Sequence, residues 1–153
     1  MKKMLFTLFS VFFSALILSS SSLKAQDEPL YTEGSVWNLT FVKLKANMGE
    51  EYLTGLSKTW KASMDELVGQ KLIKSYKILL GDASNPQDFD LILMTEFDNY
   101  AAFDPNPERD KKRDEVEKKI RDAMGEEFQK TVSSYSTLRE ITGRKTMREI
   151  FLN

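Results

Sequence analysis

Apolar and polar side chains alternate from Val36 to Lys45. Trp37, Leu39 and Phe41 share one side of an extended chain there, and Val36, Asn38, Thr40, Val42 and Leu44 share the other. The spacing predicts a first strand over 36–45. Ala46-Asn47-Met48-Gly49 ends it, and Glu50-Glu51 places negative charge where a helix N-terminus favours it. The period then changes. Tyr52, Leu53, Leu56, Trp60, Met64 and Leu67 recur at three- and four-residue steps, which predicts one helix of about five turns. Gly69 is placed to close it. A second strand is predicted over 72–80 and a third over 89–97. The Gly, Asp, Ser, Asn and Pro residues of 81–88 read as the hairpin loop between them. Asp98 caps a short turn, 99–103, and Asp104-Pro105-Asn106-Pro107 breaks the chain again. A charged helix follows from about Glu108 to Val132, with Val116, Ile120, Ala123, Met124, Phe128 and Val132 as its buried stripe. The pattern over 133–143 admits further helix through Leu138 and Ile141, and 146–152 reads as a last strand.

This order, βαββαβ, is the split βαβ or ferredoxin-like arrangement of the α+β class. Right-handed crossovers put both helices on one face of a four-stranded antiparallel sheet. Both faces of the predicted strands carry bulky apolar residues, whereas the helices cover only one. Something must cover the second face, and a second copy of the chain is the simplest candidate. A homodimer is therefore expected.

The first residues read differently. Lys2 and Lys3 precede an apolar run from Met4 to Leu18, broken only by Thr7, Ser10 and Ser14. Ser19 to Ser22 end it, and Lys24-Ala25 offers a small residue before Gln26. That is the pattern of a cleavable signal peptide over 1–25, and the run is shorter than the ~20 apolar residues of a membrane-spanning helix. Residues 26–35, polar and acidic with Pro29 and Gly34, read as a flexible leader into a domain over 36–153. With no Cys in the chain, acylation at a lipobox is excluded. The expected product is exported, periplasmic or secreted, with no stable membrane anchor after cleavage.

Composition narrows the chemistry. The chain carries 22 Lys and Arg against 23 Asp and Glu, and removing Lys2, Lys3 and Lys24 with the signal makes the remainder more acidic. Nothing in that balance attracts nucleic acid or an anionic membrane surface. The chain has no His, which removes the commonest general base and transition-metal ligand. Without Cys as well, a zinc site of the usual kind and a Ser-His-Asp triad are both excluded. No metal and no cofactor is implied. Catalysis, if any, must use carboxylates, Lys, Tyr, Arg, Asn or backbone groups.

The candidate site residues are polar side chains set among apolar ones in strands: Asn38, Thr40, Tyr76, Glu96, Arg148 and, beside the last, Glu149. Strand parity groups Tyr76 with Ile78 and Leu80, and Glu96 with Ile92 and Met94. Burying a polar group unpaired costs roughly 1–3 kcal/mol. Two readings are open: a lined cavity, or structural pairs such as Glu96 with Arg148. Trp60 lies on the first helix's apolar stripe and reads as core. Asn38-Leu39-Thr40 matches the glycosylation tripeptide but lies in a strand, and so short a pattern arises by chance. Asp104, Glu108 and Asp110 offer oxygen ligands without EF-hand spacing, and a solvated acidic helix start explains them as well.

Val36-Trp37-Asn38-Leu39-Thr40-Phe41-Val42-Lys43-Leu44 leads through Met48-Gly49-Glu50-Glu51-Tyr52-Leu53, and Lys145-Thr146-Met147-Arg148-Glu149-Ile150 closes the chain. On these segments the chain from Val36 to Leu152 resembles the dimeric α+β barrel superfamily, which contains the antibiotic-biosynthesis-monooxygenase-like domains. The resemblance implies a barrel made by two copies. Its members include cofactor-free oxygenases, haem-degrading enzymes and proteins without known activity, so the fold does not settle function. The haem-degrading members need a His ligand that this chain lacks. The oxygenases use pocket Asn and Trp residues, which Asn38 and either Trp37 or Trp60 resemble. The expected function is an exported domain that dimerises through its sheet and binds a small, largely apolar organic molecule. The alternatives are a cofactor-independent monooxygenase-like enzyme and a structural or partner-binding envelope protein. A cavity lined by Asn38, Tyr76 and Glu96 would favour the first two; a face sealed by side chains alone would favour the third.

Overall fold

The opening alternation continues upstream of Val36: strand β1 spans Tyr31–Leu44. The computed structural model describes residues 28–153, so the signal expected over 1–25 lies outside the described residues. Residues 31–35, expected as part of a flexible leader, are strand because the end of the chain pairs with them, Tyr31 with Leu152, Thr32 with Phe151 and Glu33 with Ile150. A polar, Gly-containing segment has little strand preference of its own, and here its partner supplies the missing stabilisation.

The predicted five-turn helix is two pieces, α1 (Gly49–Lys58) and α2 (Trp60–Gly69). Thr59 separates them. Its hydroxyl bonds the Gly55 carbonyl at 3.0 Å, a back-bond that bends helices. Leu72 and Ile73 lead into strand β2 (Ser75–Leu80), and strand β3 (Leu91–Phe97) follows the 81–90 loop. A 3-10 turn over Tyr100–Phe103 is capped by Asn99, not Asp98, through a 2.9 Å bond from the Ala101 N–H. The charged helix is also divided, into α3 (Pro107–Met124) and α4 (Glu126–Leu138). Gly125 stands between them at φ 60° and ψ −134°, a conformation that only glycine adopts without strain. The ambiguous 133–143 region resolves as helix to Leu138 and strand from Arg139, so that β4 (Arg139–Leu152) begins seven residues before the predicted start at 146. Arg139 pairs with Leu44, and the pairing carries the strand back along the whole of β1.

The sheet order is β2-β3-β1-β4 and every pair is antiparallel. This is the ferredoxin-like α+β fold. One face of the sheet, carrying Val36, Val42, Leu91 and Leu93, receives the helices. Tyr52 and Leu56 of α1 and Leu138 of α4 are buried against Val42 and Leu91, and Trp60, Leu93 and Tyr135 pack around them. The core thus sits at the Val42–Leu91 end of the sheet. Phe97, at the other end, packs on Phe103 of the 3-10 turn at 4.9 Å between ring centres.

Candidate functional site

The register assigns a second set of side chains to the face away from the helices. Trp37 lies opposite Glu96 and Met147, Leu39 opposite Met94 and Lys145, and Phe41 opposite Ile92 and Gly143. Ser75, Lys77 and Leu79 of β2 continue the same face, opposite Glu96, Met94 and Ile92. Trp37, Leu39, Phe41, Ile92 and Met94 are only half-buried, and Leu79 and Met147 are each 51% exposed. A contiguous apolar surface is therefore left uncovered by its own chain.

One end of this face is polar. Glu96 is only 9% exposed. Its carboxylate accepts a hydrogen bond from Ser75 Oγ and lies 2.9 Å from the Lys74 ammonium. Ser35 Oγ donates to Glu149 Oε2 at 3.3 Å and interacts with Glu96 as well. Burial alone would push the Glu96 carboxyl up, but the bonds from Ser75 and Ser35 and the Lys74 charge outweigh it. The carboxyl is held below its ordinary range, as an ionised acceptor. Next to it the Lys77 ammonium sits 4.8 Å from the centre of the Trp37 ring, a cation–π contact.

The other end is aromatic. Phe41 and Phe89 meet with ring centres 4.8 Å apart in a groove of about 460 Å³. Thr142, Gly143, Arg144 and Lys145 form its β4 side, and Gln87, Asp88 and Phe89 of the loop form the other. A larger hollow of about 580 Å³ lies between α1 and α4. It is lined by charged side chains such as Glu51, Lys58, Glu127 and Lys130 together with Thr54, Gly55, Thr131 and Ser134, with no large apolar side chain among them.

The structure divides the residues singled out from sequence between the two faces. Asn38, Thr40 and Tyr76 share the helix side with Val36, Leu93 and Thr95. Tyr76 is tied to α2 there: its ring meets Trp60 edge-on at 5.3 Å, and its hydroxyl donates to Asp65. Glu96 is on the opposite face, so Asn38, Tyr76 and Glu96 do not line one cavity. Arg148, opposite Val36, also lies on the helix side, where it pairs with Glu33 and covers the Tyr100 ring at 4.9 Å. The expected Glu96–Arg148 pair is replaced by Glu96–Lys74 and Arg148–Glu33. Sequence parity did group Glu96 correctly with Ile92 and Met94. Ser35, Lys74 and Ser75 were not recognised. Ser35 shares the parity of Trp37, but only the pairing of β1, β2 and β3 brings the two serines to the same carboxylate.

No protein-family model matches this chain, and no curated protein matches it. Among solved structures, the chain is similar to a dimeric protein of unknown function and ferredoxin-like fold from Bacteroides fragilis NCTC 9343. The two are 19% identical, with 79% of this chain and 100% of that chain covered and a TM-score of 0.41. The ferredoxin-like assignment rests on this chain's own strand order and register.

Proposed function

We propose that the open sheet face is the working surface: two copies pack face to face through it, and the space between them takes a small, largely apolar organic molecule bearing a hydrogen-bond donor. The observation that carries this reading is the juxtaposition of an uncovered apolar surface, Trp37, Leu39, Ile92 and Met94, with the shielded carboxylate of Glu96. Large exposed apolar patches mark interaction sites. A ligand site is typically apolar with a few placed polar groups, and here Glu96 is the acceptor that would orient a hydroxyl or an amine.

Binding is favoured over catalysis because Glu96 is already engaged as an acceptor by Ser75 and Lys74. A general base works best with a pKa near the operating pH, and the Glu96 carboxyl is displaced the other way. The likeness to antibiotic-biosynthesis-monooxygenase-like domains enters this proposal through Trp37, which stands on the open face while Asn38 and Trp60 are on the helix side. An oxygenase would have one of its two expected side-chain types at the site. We also propose that the domain acts outside the cytoplasm, on the strength of the Lys2-Lys3 start, the apolar run and the small-residue exit.

The test combines light scattering with native mass spectrometry. The wild-type domain should be a dimer at micromolar concentration, with at least ~800 Å² buried per partner, and should carry a co-purifying small molecule. Met94→Glu should give a folded monomer without it. A wild-type monomer would overturn the reading, and a dimer whose sheets close on each other with no bound molecule would leave the partner-binding alternative in its place.

A further inference from the structure

Beyond Val36 the sheet narrows. β3 ends at Phe97, opposite Val36, so 31–35 of β1 have only 148–152 of β4 beside them. This two-stranded arm carries exposed apolar side chains on both sides. Phe151, 54% exposed, continues the open face. Tyr31, Ile150 and Leu152 are exposed on the other side at 45%, 48% and 81%. An isolated two-stranded ribbon is marginally stable in water, and an arm with exposed apolar side chains on both sides needs a partner. Building on the face-to-face dimer above, we propose that each arm crosses the dimer and sets Phe151 into the aromatic groove, Phe41 with Phe89, at the far end of the partner's open face.

Charge selects this arrangement. A two-fold axis between two stacked sheets runs either along the strands or across them. An axis along the strands brings each Glu149 to the same end of its copy, where Lys74 is already paired with Glu96, and like charges meet. An axis across the strands sets Glu149 against Lys145 of the partner subunit, and opposite charges meet. The register agrees. Met147 pairs with Trp37; Phe151 lies four residues to one side of it along β4, and Gly143, the partner of Phe41, lies four to the other. An axis passing at Trp37 therefore brings Phe151 beside Phe41 of the partner subunit, and Glu149 over the Leu39–Lys145 pair. Arm and groove both lie on the β1–β4 side of the sheet, the side that such an axis superposes. The contact is isologous, made twice.

The chain has no Cys, which permits a specific cross-link. Phe151 and the Phe41–Phe89 groove stand at opposite ends of one chain's sheet, separated by about 26 Å of strand, far beyond the ~7 Å between Cα atoms that a disulfide tolerates. Mild oxidation of Phe151→Cys/Phe89→Cys should convert nearly all of the protein into covalent dimer on a non-reducing gel. A Phe151→Cys/Ser57→Cys control should stay uncross-linked. Independently, Glu149→Lys should raise the dimer dissociation constant about tenfold, the scale of one close charge pair, and Lys145→Glu in the same chain should restore it. Circular dichroism confirms that each variant is folded. If the wild-type chain is a dimer but the Phe151→Cys/Phe89→Cys variant fails to cross-link and Glu149→Lys leaves the dissociation constant unchanged, the arm is overturned and the face-to-face dimer stands. A wild-type monomer overturns both.

Discussion

Lys74 Nζ lies 2.9 Å from Glu96 Oε1, on the face of the sheet opposite to that of Arg148. The two ends of this pair differ in environment: the Lys74 side chain is 52% exposed and that of Glu96 12%. Lys74 can return to water when its partner is lost, whereas Glu96 is shielded and accepts from Ser75. Glu96→Gln should therefore cost about 1 kcal/mol, near the net value of one hydrogen bond, and Lys74→Met should cost less because exposed ion pairs contribute little. Urea titration of the two variants checks the ranking.

The same carboxylate gives a pH signature. Its pKa is lower folded than unfolded, so its contribution is present above the ordinary glutamate value of ~4.3 and is lost as pH falls through the lower folded value. The stability gap between wild type and Glu96→Gln should be full at pH 7 and should close as the pH is lowered below about 4. A gap that is unchanged down to pH 2.5 would count against ionisation as the source of the effect.

Gly55 marks where α1 crosses α4. A Cβ there would lie 2.9 Å from Tyr135 Cε1 and 3.1 Å from Thr131 Cγ2. Tyr135 has no freedom to withdraw, since its ring meets Tyr52 edge-on at 5.3 Å and its hydroxyl is bonded to Thr59. Gly55→Ala should destabilise by roughly 1–3 kcal/mol, the usual scale of overpacking. At Gly69 an added Cβ meets nothing within 4 Å, and Gly69→Ala should be neutral or stabilising by up to ~1 kcal/mol. Thermal melts of the two variants should move in different directions.

Export is checked at the other end of the chain. N-terminal sequencing of the protein from its native source should begin within a few residues of Gln26. Recovery of Met1 from a membrane fraction would refute processing.

The βαββαβ order was legible because each element advertises its period: two in Val36 to Leu44, and three to four from Tyr52 to Leu67. Lengths were less legible. Thr59 and Gly125 each divide a helix whose apolar stripe runs through the break, since a stripe records which side is buried and not whether the axis bends. At the candidate site, parity gave the face of Glu96, shared with Ile92 and Met94, and not its partners.

The sequence by itself determined the class of the fold, the two faces of each strand and the chemistry excluded by the missing His and Cys, because these depend only on residue type and local period. Only the tertiary structure decided that residues 31–35 are strand, that Glu96 belongs to Lys74, Ser35 and Ser75, and that Arg148 belongs to Glu33. Those assignments depend on register between strands far apart in the chain. Parity states which face a side chain takes, but a neighbour across the sheet is set by how distant strands slide against one another, and that is fixed by the packing of the whole domain.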